Sequence, residues 1–115
     1  MTQNITIDGR AVPFSATAST IRRYRRDFGR DLLLDFKALQ EEIDSDHELT
    51  ASALTIFEDL AYTMAKQADP NIPPTPDEWL DTFEMFSIYQ VLPQILALWK
   101  VSELPTAEAK KKATT

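Results

Sequence analysis

Residues 5–36 of the chain read ITIDGRAVPFSATASTIRRYRRDFGRDLLLDF, and this segment decides the fold. Its first part alternates apolar and polar residues on either side of Asp8-Gly9, a pair that favours a tight turn between antiparallel strands. Pro13 lacks a backbone N–H group, so the second strand is expected at the edge of a sheet. The segment predicts a β-hairpin over about 4–15. Because two strands alone are marginally stable, the hairpin either rests on the helices of its own subunit or extends the sheet of a neighbouring one.

A long amphipathic helix is predicted after the hairpin, over about 20–43. Ser19 or Thr20 can cap its first amide groups. The apolar positions recur every three or four residues, at Ile21, Tyr24, Phe28, Leu32, Phe36, Leu39 and Ile43. Gly29 falls inside this helix, where a glycine costs on the order of 1 kcal/mol relative to alanine. We interpret it as a point at which another helix approaches closely.

The rest of the chain predicts further helices. Apolar residues at helical spacing predict one over about 48–68, and the prolines between residues 70 and 74 force a loop after it. Thr75, Pro76 and the two acids that follow predict a new helix start, with the helix running to about 87. Pro93 either kinks this segment or opens a last helix over about 91–101, and the break is favoured.

The predicted fold class is therefore mainly α: a small helical domain of three to four helices with an N-terminal β-hairpin. One domain spans 1–104, and the tail over 105–115, which has nothing to bury, is predicted to be disordered. With 115 residues and 43% hydrophobic composition, such a domain can bury a real core.

Composition also restricts the location and chemistry of the protein. The chain has no cysteine, which excludes disulfides, thiolate metal sites and a cysteine nucleophile. It shows neither a signal-peptide pattern nor an apolar run near the roughly 20 residues that span a bilayer. We expect a cytoplasmic protein with no membrane contact.

Catalytic and metal-binding residues are sparse. The single histidine, His47, follows Asp44 and Asp46 in an acidic turn, which offers too few fixed ligands for a metal. No hydroxyl or amine nucleophile has an evident base, and no glycine-rich phosphate loop is present. The sequence predicts no enzyme activity, no cofactor and no metal.

An arginine-rich face is the main charged feature. The net charge is −6, which argues against general affinity for nucleic acid, yet five arginines lie between Arg22 and Arg30. Arg22, Arg23, Arg26 and Arg30 are candidates for self-association or for steering a partner by charge. The alternative is a solvated helix face with local ion pairs, such as Arg23 with Asp27. A helical nucleic-acid-associated or regulatory protein using this face is the second hypothesis for function.

The segment from residue 79 to residue 99 holds more large apolar side chains than one face of a short helix can bury. Those predicted in the core are Leu80, Phe83, Leu92, Ile95 and Leu96. Those predicted to be partly available to a partner are Trp79, Phe86, Tyr89 and Trp99. Aromatic residues are enriched at the centres of protein interfaces, so the segment favours a protein-binding function.

Several motifs together resemble tail assembly chaperones of long non-contractile-tailed phages and prophages of Gram-positive bacteria. The first group comprises IDGR at 7–10, FSATA at 14–18 and RYRRDFGRDL at 23–32. The second group comprises PDEWLDTF at 76–83 and VLPQILALW at 91–99. Each motif is short, but their order and spacing cover nearly the whole chain.

The resemblance implies a non-enzymatic protein that coats the apolar, helical tape measure protein while tail tube subunits polymerise around it. It also implies self-association as a homo-oligomer, a location in the cytoplasm of the bacterial host, and absence from the mature virion. The lysines at 110–112 imply an A-rich codon run. In the family a programmed frameshift near this end yields a longer product, which would recruit tail tube protein. The alternative is a solubilising basic tail.

Overall fold

A computed structural model describes residues 2–45 and 48–98 of the chain. Two antiparallel strands, Thr2–Ile7 (β1) and Arg10–Ser15 (β2), precede the helices Ala18–Phe28 (α1), Leu32–Ile43 (α2) and Ala51–Ala68 (α3). The short helices Pro76–Leu80 (α4) and Ser87–Gln90 (α5) follow, and residues 92–98 form a last helical segment (α6). The prediction of a mainly α domain with an N-terminal hairpin is confirmed.

The hairpin has the turn that its sequence demands. Ile7 pairs with Arg10, which leaves Asp8 and Gly9 as a two-residue loop with φ values of 53° and 75°. Positive φ at both positions is the geometry that matches the twist of the two strands. The inward-facing Ile5, Ile7 and Phe14 are buried, and β2 packs on α3. The hairpin thus rests on its own subunit, one of the two arrangements that the sequence left open.

The first predicted helix is wrong in its continuity, because it breaks at residues 29–31. Gly29 adopts a left-handed φ of 68° and its N–H group donates to the Arg25 carbonyl at 2.8 Å, which ends α1. Asp31 begins α2 by accepting hydrogen bonds from the Leu33 and Leu34 amides at 2.9 and 3.2 Å. No atom lies within 4 Å of a Cβ built on Gly29, so the predicted close approach of another helix is also wrong.

The start of α1 lies earlier than predicted. Thr17 is the N-cap residue, in place of Ser19 or Thr20, and its N–H group donates to the Thr20 hydroxyl at 2.9 Å. Thr20 donates in turn to the Gln67 side chain at 2.6 Å, which donates back to Thr17 at 2.6 Å. This ring of hydrogen bonds fixes the start of α1 against the end of α3.

Helix α3 is the centre of the domain. Its residues 59–65 are all buried, which means that neighbours cover every face of the helix there. The hairpin, α1, α2 and α4 all pack on it. The large side chains with no exposed surface in this core include Phe14, Tyr24, Leu39, Phe57, Leu60 and Met64. A helix over 48–68 was predicted, and the observed one begins at Ala51 behind the N-cap Thr50.

The predicted helix over 76–87 is much shorter in the structure. It starts as predicted, with Thr75 accepting a hydrogen bond from the Glu78 amide at 3.2 Å, but it ends at Leu80. A continuing helix would bond the Glu84 amide to the Leu80 carbonyl and the Phe86 amide to the Thr82 carbonyl. The hairpin takes both groups instead: Asp8 accepts from the Glu84 amide and Arg10 donates to the Thr82 carbonyl.

Replacing Gly29 by alanine tests the break between α1 and α2. At a φ of 68° a Cβ costs about 1 kcal/mol, so Gly29→Ala lowers the free energy of unfolding by that amount. Urea unfolding followed by circular dichroism measures the change. Gly29→Asn is the matched control and is expected to cost less, because asparagine tolerates positive φ. Had α1 continued through this position, alanine would stabilise the protein by about 1 kcal/mol, so the sign of the change decides.

Candidate protein-binding surface

The tip of the hairpin holds residues 82–86 and the first residue of α5, Ser87; this segment is called here the 82–87 loop. The Asp8 carboxylate accepts a hydrogen bond from the Glu84 amide at 2.9 Å and another from the Ser87 hydroxyl. These two hydrogen bonds lower the pKa of Asp8 below its ordinary value, and the bond from Ser87 has the larger effect. One exposed carboxylate thus connects two residues of the loop to the hairpin turn.

Arg10 makes the second connection between the hairpin and the loop. Its guanidinium donates to the Thr82 carbonyl at 2.8 Å and lies over the Phe83 ring, 4.9 Å from the centroid. Phe83 packs edge-on against Trp79 at 5.1 Å between ring centroids. The loop is therefore held from the strand side by charged groups and from the core side by an aromatic contact.

Between these attachment points the loop exposes two large apolar side chains. Met85 is 78% exposed and Phe86 is 66% exposed. They lie between Glu84 and Ser87, the two residues bonded to Asp8, so their backbone is fixed on both sides. An apolar pair held out by a fixed loop needs little ordering when it binds, which favours its use in recognition.

The predicted partner-binding residues have different environments. Phe86 is exposed, as its predicted role requires. The predicted accessibility of Trp79 is wrong: it is 2% exposed because its indole fills the space between the hairpin, α3 and the loop. Its ring contacts are Phe14 at 6.3 Å, Tyr62 at 5.9 Å and Phe83. Trp99 lies outside the described residues.

Tyr89 is partly buried and is directed toward α3. Its hydroxyl donates to Glu58 at 2.6 Å, and its ring lies 6.2 Å from that of Phe57. The hydrogen bond to Glu58, with burial, raises the pKa of Tyr89 to about 12. Because the polar end of this side chain already has an internal partner, Tyr89 is less available to another protein than the sequence predicts.

The arginine-rich face of α1 is only partly a free surface. Arg22, Arg25 and Arg26 are exposed. Asp27 pairs with Arg26 at 2.9 Å and not with Arg23, whose Nε donates to the Ser19 hydroxyl at 3.3 Å. Exposed pairs of this kind contribute little to stability.

Arg30 lies in the break between α1 and α2 and not on the α1 face, and internal ion pairs engage it, so its predicted role in self-association or charge steering finds no support here. Its side chain, which is 37% exposed, follows the left-handed turn at Gly29 and pairs with Asp35 at 2.8 Å and Asp59 at 2.5 Å. The guanidinium also donates to the Tyr24 hydroxyl at 2.8 Å. Two carboxylates therefore neutralise this arginine and make it part of the structural centre.

The pKa values of the groups around Arg30 show the effect of their partial burial. Burial raises the pKa of Asp59, and the hydrogen bond from Arg30 opposes that rise. Burial, together with the hydrogen bond to Asp35, also raises the pKa of Tyr24. Removing the cation would leave both carboxylates partly desolvated without compensation.

A second exposed apolar pair, Leu33 and Leu34, was not predicted. They lie in the first turn of α2 and are 46% and 67% exposed, whereas Leu32 is fully buried. The sequence held a usable signal, since three consecutive leucines on a helix point about 100° apart and cannot all face one core.

Other site types find no support in the part of the chain that the structure describes. Within 2–45 and 48–98, no three acidic or histidine side chains are grouped so that they could hold a metal ion. None of the described helices has the length and apolar character needed to cross a bilayer. His47 lies outside the described residues.

Replacing Asp8 by asparagine tests the attachment of the loop. Asparagine tolerates the positive φ, but its amide oxygen is a weaker hydrogen-bond acceptor than a carboxylate. The amide hydrogen of Glu84 is therefore expected to exchange with solvent faster. The folded-state pKa of Asp8 is lowered, so its stabilising effect is present above the ordinary value of 3.8 and disappears as the pH falls through the folded-state pKa. The stability of Asp8→Asn is therefore lower at neutral pH and falls less on acidification.

Amide hydrogen exchange measured by NMR, with unfolding curves at several pH values, checks both effects. The Leu33 amide, which is capped by Asp31, serves as an internal control whose rate stays constant. Unchanged exchange at Glu84 would contradict the attachment.

Replacing Arg30 by methionine tests its structural role. The loss of compensation for Asp35 and Asp59 is expected to lower the free energy of unfolding by about 2 kcal/mol, a value reduced for the partial exposure of Arg30. Arg22→Met, at an exposed arginine of α1, is the control, with a change within about 0.5 kcal/mol. Adding Asp59→Asn to Arg30→Met is expected to recover part of the loss. Equal effects of the two arginine substitutions in chemical denaturation would refute this assignment.

Comparison with models of protein families, with curated proteins and with solved structures finds no match to this chain.

Proposed function

We propose that this protein is a phage tail assembly chaperone that binds the tape measure protein and keeps it dispersed while tail tube subunits polymerise around it. The observation that carries the proposal is the exposure of Met85 and Phe86 on a loop fixed at both sides by Asp8. The motif resemblance supports it too, because the loop begins within the motif at 76–83 and ends before the motif at 91–99.

The physical basis is burial of the apolar pair. Covering Met85 and Phe86 on a partner contributes on the order of 3 kcal/mol, since each side chain is already partly covered. Such a contribution suits repeated, reversible contacts along a long apolar helix, which presents grooves between side chains three and four residues apart. The net charge of −6 favours dispersion of the coated partner.

The proposal extends to the cellular setting that the family resemblance implies. The chain acts in the bacterial host cytoplasm, associates with further copies of itself, and is absent from the finished virion. A longer frameshifted product recruits tail tube protein. The nucleotide sequence around the codons for the lysines at 110–112 tests this last part, because a frameshift needs a slippery heptamer and an open overlapping frame.

A nucleic-acid-associated function is the second candidate, and the exposure of Arg22, Arg25 and Arg26 favours it. Against it, Asp27 pairs with Arg26, and Arg30 pairs with Asp35 and Asp59. Binding to DNA at moderate salt that weakens steeply as salt rises would favour this candidate over the chaperone.

Co-expression with a tape measure fragment that is insoluble alone tests the proposal. The wild-type chain is expected to keep the fragment in the supernatant, and the double variant Met85→Ser/Phe86→Ser to lose most of this effect. Leu34→Ser is a closely matched control, because Leu34 and Phe86 are exposed to nearly the same degree. Loss of solubilisation with Leu34→Ser but not with the double variant would move binding to α2 and contradict the proposal. Thermal unfolding confirms that each variant is folded.

A further inference from the structure

The surroundings of Met85 and Phe86 carry negative charge. Residues 67–98 contain five acids and no lysine, arginine or histidine. Two of these acids, Asp81 and Glu84, lie within four residues of the apolar pair, and both are exposed. The Asp8 carboxylate lies against the same loop, because it accepts hydrogen bonds from Glu84 and Ser87.

The protein's own cations neutralise these charges only in part, because the charge of Arg10 acts on Asp8. Among the described residues, no salt bridge reaches Asp8, Asp81 or Glu84. Arg10 is the cation attached to the loop, and its guanidinium is already engaged with the Thr82 carbonyl and the Phe83 ring. The loop and the hairpin tip therefore hold three carboxylates against one cation, and Asp81 and Glu84 are exposed to a partner.

We propose that this surface, formed by Met85 and Phe86 with the carboxylates of Asp8, Asp81 and Glu84, selects an amphipathic helix whose apolar stripe is flanked by lysine or arginine. The inference rests on the proposed function, which places partner binding at the apolar pair, and it adds the chemistry of the partner. The apolar pair enters the stripe of the helix, and the basic residues on either side of the stripe meet the carboxylates.

Charge complementarity also disfavours two other occupants of this surface. A partner helix flanked by acids would place like charges beside Asp81 and Glu84, which disfavours it. A second copy that met this surface with its own equivalent surface would bring two sets of three carboxylates together, as a two-fold interface requires. A basic helix avoids both conflicts.

Two synthetic peptides test the inference on the full chain. Both are helices of about 18 residues, or five turns, with the same leucine stripe, flanked by lysines in one and by glutamates in the other. Fluorescence anisotropy at about 50 mM salt is expected to show at least tenfold tighter binding of the lysine peptide, with the preference shrinking at about 500 mM.

Variants locate the effect. Asp81→Asn/Glu84→Gln is expected to weaken binding of the lysine peptide about threefold to tenfold. This is the effect expected from the loss of two partly exposed charge contacts. Glu41→Gln, at an exposed acid on α2, is the matched control and leaves the affinity unchanged. Phe86→Ser weakens binding of both peptides, because it removes the apolar contact that they share.

Three results would overturn charge selection: equal affinity for the two peptides, a preference that salt does not reduce, or a loss of affinity in Glu41→Gln as large as in Asp81→Asn/Glu84→Gln. A fourth would overturn the choice of partner: the wild-type chain binds neither peptide but self-associates, and Phe86→Ser abolishes that self-association. The last result, seen by light scattering, would assign the surface to a second copy. Equal affinities accompanied by solubilisation of the tape measure fragment would refute charge selection alone. Failure to bind either peptide or the fragment would refute the proposed function as well.

Discussion

The hydrogen bonds of the Asp8 carboxylate decide the shape of the C-terminal part of the domain. A two-residue turn with positive φ brings Asp8 to the tip of the hairpin, and Arg10 follows at the start of β2. Asp8 accepts a hydrogen bond from the Glu84 amide, and Arg10 donates one to the Thr82 carbonyl. Helix α4 would need both of these backbone groups in order to continue. The helix ends, and the backbone that follows forms a loop whose apolar residues face outward.

This arrangement depends on the burial of Trp79 beneath it. The indole occupies the space between β2 and α3 and supports Phe83, on which Arg10 lies. The loop is therefore supported by a packed aromatic group and attached by charged ones. The Arg30 cluster is a comparable device at the break between α1 and α2, where one guanidinium pairs with Asp35 on α2 and Asp59 on α3.

Local signals in the sequence predicted local structure well. Asp8-Gly9 predicted the hairpin, Thr75-Pro76 the start of α4, and the apolar spacing the helix α3. The break at Gly29 was missed because Phe28 and Leu32 are four residues apart, so the apolar periodicity continues across it. A glycine inside a helical pattern can equally be a helix interior position or a C-terminal cap, and only the backbone geometry separates the two.

The candidate surface was harder to predict than the fold. Trp79 and Phe86 lie in one aromatic-rich segment, and composition does not tell which of them is buried. The answer depends on where α4 ends, which is set by partners 72 and 76 residues away in the chain. Contacts of such long sequence separation leave no local pattern. Leu34, by contrast, could have been found from the run of three leucines alone.

The same separation has a consequence for synthesis of the protein. Asp8 leaves the ribosome before Glu84 and Ser87, which it bonds and which follow 76 and 79 residues later. Helices α1 to α3 have all been translated before the hairpin tip can find the loop. The outward-facing methionine and phenylalanine thus take up their fixed positions only after α1 to α3 and the 82–87 loop have been translated.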